Sequence, residues 1–181
     1  AVWSCCTSRW DATCRAWYPP AVDLQTGEGR MPTLDEVLAA YDWYDHPEGV
    51  RFVETARDGH RTSGHWLYAT GTTSVFHRVV DNAELWYVHH GRLRIHVLEP
   101  GGAMTTLRLG TDIAAGERPQ HVVPVGSWQA AELPEGTPWA FGSVVCAPPF
   151  RFEGSFEIAD RAALLAGWPE HAPLIRRLTP A

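Results

Sequence analysis

The sequence predicts an all-β domain, a sandwich or jelly-roll barrel with short helices only at its ends. Three observations carry this. From residue 50 onward, ten short stretches rich in β-branched and aromatic residues follow one another at nearly regular spacing. Turn clusters ("DGHRTSG", "PGG", "AGERP", "LPEGTP") separate most of them. Helical signals appear only before and after this run, which is the arrangement of a sandwich or closed barrel.

The first helical signal is "PTLDEVLAAYDWY", directly after Met31, where Thr33 and Glu36 form a capping box. The candidate strands are then "RFVETAR", "HWLYAT", "SVFHRVV", "ELWYVHH", "RLRIHVLE", "MTTLRL", "HVVPV", "WQAAEL", "WAFGSVVCA" and "FRFEGSFEI". At the far end Asp160 caps "RAALLAG", Gly167 stops it, and "PEHAPLIRRL" makes a last turn or short helix. No repeat or low-complexity segment is visible.

Residues 1–30 read differently. They carry three tryptophans, no amphipathic period and charges that cancel, and they lack the apolar run and cleavage site of a signal peptide. We expect an N-terminal extension over 1–30, non-native or disordered, and a single domain over 31–181. The alternative for 1–30 is an ordered arm that covers a sheet edge.

Composition narrows the function classes. The net charge of −6 argues against nucleic acid as a partner, and no apolar run is long enough to span a membrane. All fifteen basic residues are arginines. Without lysine there is no Schiff-base catalysis, no lysine-bound pyridoxal phosphate and no Walker phosphate loop. No nucleophile elbow of the Gly-x-Ser-x-Gly type is present. Cys5, Cys6 and Cys14 crowd the first fourteen residues and Cys146 stands alone, a spacing that suits neither a zinc ribbon nor a disulfide framework. A reducing cytoplasm is the simplest setting for such a chain.

The stretch "GTTSVFHRVVDNAELWYVHHG" (71–91) carries the chemistry. Gly71 is followed by five residues and His77, Glu84 comes seven positions later, and six residues separate it from Gly91. This resembles the first cupin motif at every position except Val79, where a second histidine is usual. "PVGSWQ" resembles the second motif, with Pro124 and Gly126 in place and Gln129 at the histidine position. Residues i and i+2 of a strand project to one face, so such a motif can aim side chains into a barrel.

Beyond these motifs the chain resembles the fifth cupin family, a domain of unknown function, over 35–179. The resemblance is carried by "HPEGVRFVETAR", "HRV", "ELW", "LGTDIAAGERPQHVVPVGSWQAAE", "VCAPPFRFEGSFEIADRAALL" and "WPEHAPLIRRLT". It implies a cupin double-stranded β-helix, similar in fold to dTDP-sugar epimerases and germins, and usually a homodimer. It implies no settled reaction. Val50, the Trp86-Tyr87 pair, Pro148-Pro149-Phe150 and one inserted residue before Glu84 depart from the family pattern, which fits either a distinct substrate or a relaxed site.

These residues support three readings. The first is a small-molecule enzyme that isomerises, epimerises, cyclises or dehydrates a carbonyl-bearing metabolite. His77 is its general base and Glu84 orients it or shuttles the second proton. Trp86, Gln120, Gln129, His90 and Glu54 are the candidate substrate-binding residues. The second is a metal-dependent cupin, a dioxygenase or Lewis-acid lyase, with Fe, Mn, Ni or Zn held by His77, Glu84 and Gln129; in the first no metal is needed. The third is a non-catalytic binding module. By strand parity Arg78 faces away from His77's pocket, and Glu54 pairs with Arg57 or binds a polar ligand at the barrel mouth. Trp128 is read as core and Cys146 as a buried small hydrophobe.

Overall fold

The computed structural model describes residues 30–180, so the expectation for 1–30 lies outside the described residues apart from Arg30. Helix α1 (Leu34–Ala40) begins at the expected capping box. The Thr33 hydroxyl accepts from the Glu36 amide at 3.3 Å and the Glu36 carboxylate accepts from the Thr33 amide at 2.8 Å.

Eleven strands follow among the described residues: β1 (Tyr44–Asp45), β2 (Arg51–Arg57), β3 (Thr62–Ala69), β4 (His77–Val79), β5 (Ala83–His90), β6 (Leu93–Leu98), β7 (Met104–Leu109), β8 (Gln120–Val123), β9 (Trp128–Glu132), β10 (Trp139–Ala147) and β11 (Phe156–Ile158). Helices α2 (Arg161–Gly167) and α3 (Ala172–Arg177) close the chain, joined by a 3-10 turn at Pro169–His171. One sheet runs β1-β2-β3-β10-β5-β8 and the other β11-β4-β9-β6-β7, with every pairing antiparallel. This is the expected jelly roll.

Two expected strands are shorter than their sequence pattern. In "SVFHRVV" only His77–Val79 pair as a strand, because the amides of Ser74, Val75 and Phe76 donate to the carbonyls of Ala131, Glu48 and Leu178. In "FRFEGSFEI" only the last three residues pair, since the Phe150 amide donates to the Thr62 hydroxyl. The short β1 had no alternation to announce it.

Alternation sets the core. Trp66 and Tyr68 of β3, Trp86 and Val88 of β5, Ile95 and Val97 of β6 and Val144 of β10 pack between the sheets. Burying each such side chain contributes about 1.5–3 kcal/mol. Phe76, Leu98 and Ala130 meet Leu164, Ile175 and Leu178 of the terminal helices in a second cluster. Leu67 and Phe141, on the opposite strand faces, receive Val37 of α1.

Candidate functional site

The site starts from a turn. The His46 amide donates to the Val50 carbonyl and the Gly49 amide to the His46 carbonyl, both at 2.8 Å, closing His46-Pro47-Glu48-Gly49. Gly49 sits at φ 103°, a left-handed conformation that a side chain would strain. The Glu48 carbonyl accepts from the Val75 amide at 2.8 Å, and the Val75 carbonyl lies 2.9 Å from Nδ1 of His77. A carbonyl only accepts, so Nδ1 carries a proton and Nε2 is the atom turned to the pocket. There it meets Glu48 Oε2 at 3.0 Å, with His46 Nδ1 3.3 Å from the same oxygen. His77 and Glu48 are both buried.

Glu84 enters from β5, where its carboxylate lies 3.8 Å from the Cys146 thiol of β10. Burial, reinforced by the charge of Glu48 and opposed by His77, pushes the Glu84 carboxyl up to about 7. For Glu48 burial also works against ionisation, but His77 and the hydrogen-bonded His46 outweigh it and hold its carboxyl below the ordinary range. Desolvation and the Glu84 charge raise the Cys146 thiol far above its usual range, so it is a protonated, buried group that nonetheless lines the cavity.

These groups share one small pocket that is partly open to solvent. Its walls are aromatic: Tyr44 and Phe52 from β1 and β2, Trp86 from β5, and Phe150, Phe152 and Phe156 from the segment after β10. Gly64 of β3 leaves room for Phe52, whose Cζ would lie 2.1 Å from a Cβ at that position. At the mouth Arg57 donates to both oxygens of Glu54, at 2.6 and 3.0 Å, and to the Phe150 carbonyl.

Of the candidate residues, His77, Glu84, Trp86 and Glu54 line this cavity. Three others do not. His90 stacks on Trp139, ring centroids 3.8 Å apart, and lines a separate cleft. The reason is a register shift in the β5–β10 pairing: Val88 faces Gly142 and His90 faces Phe141, leaving His89 as an extra residue that breaks the parity shared with Glu84. Gln120 pairs opposite Tyr87, on the face away from Trp86, and is exposed. Gln129 pairs opposite His77 and is buried, but it does not line the cavity and neither atom of its amide has a partner. Nor does Glu84 orient His77: the carboxylate within ion-pair distance is Glu48. Arg78 faces away, pairing with Glu157 and lying 4.4 Å over the Trp128 ring. Sequence reasoning missed Glu48 and His46, although "HPEG" was the signal that contained both.

The donor set does not make a metal cage. Val79 offers a hydrocarbon, Gln129 is outside the cavity, and Nε2 of His77 is occupied by Glu48. Among the described residues no group of three or more His, Cys, Asp or Glu is placed to hold a metal ion.

Residues 35–159 match the family described as cupin superfamily (DUF985). The chain belongs to this cupin family. A crystal structure of a Shewanella oneidensis protein is 32% identical to this cupin, with a TM-score of 0.74 over 83% of this chain and 99% of that one. A hypothetical protein from Leishmania major is 23% identical, with a TM-score of 0.71 over 77% and 94% of the two chains. An oxalate decarboxylase from Lactobacillus farciminis shares the fold at 9% identity, with a TM-score of 0.54 over 79% of this cupin and 43% of that chain. No curated protein matches the sequence. No helix among the described residues is long and apolar enough to cross a membrane.

Proposed function

We propose that this cupin moves protons on a carbonyl-bearing small molecule, in an isomerisation, epimerisation, cyclisation or dehydration that needs no metal. The supporting observation is the buried His77–Glu48 pair and the separate carboxyl of Glu84 in one aromatic-walled cavity. Environments that push two like groups apart assign an acid and a base. The 3.0 Å contact holds Nε2 of His77 against the Glu48 carboxylate, whose ionisation that neighbour favours. Glu84 makes no such pair and ionises near neutrality, which suits it to take the substrate's α-proton and return it. His77 fixes Glu48 beside the reacting group, and its own Nε2, committed to that carboxylate, makes no bond to the substrate. This exchanges the roles expected from the motif, where the histidine was the base.

The test is exchange of α-hydrogens for deuterium in D₂O, followed by NMR over a panel of carbonyl compounds. The wild type is expected to exchange at least one of them, and Glu84→Gln and His77→Gln each to slow that exchange ~10²–10⁴-fold while keeping the near-ultraviolet spectrum of the fold. Undiminished exchange in both folded variants, or none above buffer for any compound, overturns the proposal.

A further inference from the structure

The sheet that carries Glu84 has a second face, turned away from the pocket. Gly64 and Val144 line the pocket, so alternation sends their neighbours His65 of β3 and Ser143 of β10 to the opposite side. There His65 and Ser143 are register partners, and Nδ1 of His65 lies 2.9 Å from Oγ of Ser143. His89 of β5 arrives from the other flank of β10, with its Nε2 2.5 Å from the same oxygen. In unbroken register His89 would stand opposite Phe141, but His90 takes that place. The extra residue leaves His89 without an opposite number, and its ring reaches back over Ser143. Two imidazoles from strands on either side of β10 therefore converge on one small side chain, with ring centroids 5.8 Å apart.

The chemistry of these two nitrogens suits a metal ion. Desolvation holds both imidazoles below their ordinary range, and for His65 the nearness of His89 adds to this against a main-chain contact at Gly142. Both rings are then neutral near pH 7, the form in which imidazole is a ligand. Tyr41 and Phe141 pack on the His65 ring with centroids at 5.0 and 5.1 Å and fix its direction, while the exposed His89 leaves the cluster open to solvent. A hydroxyl carries one proton and can donate it to only one of the two nitrogens. Turning that hydroxyl to another rotamer opens a position that both nitrogens face. Zinc–imidazole bonds of about 2.0–2.1 Å then require each ring to close in by less than about 1 Å. Nitrogen donors favour zinc, copper or nickel over magnesium and calcium, which prefer oxygen.

We propose that His65 and His89 form a two-imidazole site for a divalent transition-metal ion, which ties β3 to β5 across β10 on the face opposite the pocket. Water completes the coordination shell, and the site is independent of the acid–base function.

The test is a titration of full-length, ¹⁵N-labelled protein with Zn²⁺, following the imidazole nitrogens by NMR. The His65 and His89 signals are assigned by their loss in His65→Gln and His89→Gln. Both signals are expected to move together with added zinc, and Mg²⁺ to move neither. Either substitution is expected to weaken the response of the remaining histidine about tenfold or more. His77→Gln, which alters the pocket, is expected to leave that response unchanged. Resolved signals keep this site apart from zinc held by the cysteines or by other histidines. Should His65→Gln fail to fold, His89→Gln, at an exposed position, carries the comparison alone. Zinc moving neither signal, moving the two at different concentrations, or acting equally on the remaining histidine of a folded single variant, overturns the proposal and leaves a hydrogen-bonded cluster only.

Discussion

Glu48 and Glu84 are the same residue type in the same cavity, and their surroundings drive them in opposite directions. This has a signed consequence for stability. The Glu84 carboxyl moves from an ordinary 4.5 to about 7 on folding, so between those values the folded protein holds more protons than the unfolded chain. Stability therefore falls as pH rises from about 4.5 to 7, by roughly 3 kcal/mol in total, and is level above. Glu84→Gln, which cannot ionise, is expected to flatten this slope and to be more stable than wild type at pH 8, as read by urea unfolding. An unchanged slope in the variant would contradict the placement of Glu84. Glu48 has the reverse sign. Its depressed carboxyl contributes stability that is present above its unfolded value and lost as pH falls through the folded one. Glu48→Gln is expected to destabilise the protein near pH 7, where it removes the carboxylate that His77 and His46 face, and much less in acid strong enough to protonate Glu48 in the wild type as well. A loss equal at both pH values would contradict the pair.

At the level of elements, the tight turn between β5 and β6 depends on Gly91, which lies at φ 71° with the Trp139 carbonyl 2.3 Å from where a Cβ would sit. A main-chain oxygen in a central strand cannot step aside, so Gly91→Ala is expected to lose about 1–3 kcal/mol, measured by thermal or urea unfolding. A variant as stable as wild type would show that the turn tolerates a side chain. The strands themselves were legible because β-branched runs and turn clusters are local signals, and the capping box of α1 is local too. Parity along a strand was legible only as far as the strand stays regular: it placed Glu84 and Trp86 on one face, and failed at His90 because the extra residue His89 is visible only in the pairing with β10. Gln120 fell on the wrong face for a related reason, since its side is set by the residue opposite it, Tyr87. Glu48 was invisible as a partner of His77 because the two are joined through the Val75 backbone, a tertiary contact without a spacing rule.

At the scale of the whole molecule, the barrel brings the turn at 46–49, the ends of β4 and β5 and the aromatic segment after β10 to one desolvated space. Desolvation there raises Glu84, and the fixed position of His77 lowers Glu48. The division of labour is thus a property of the assembled fold, as the motif carries only one of the two carboxylates. The most direct measurement is a site-resolved titration of the carboxyl groups by ¹³C NMR on the intact protein, with Glu84→Gln and Glu48→Gln to assign the signals. One carboxyl titrating near 7 and vanishing in Glu84→Gln, with the Glu48 signal remaining ionised below the ordinary carboxylate range, is the result expected. Both groups titrating together in the ordinary range would mean that the cavity does not separate an acid from a base, and the proposed chemistry would lose its foundation.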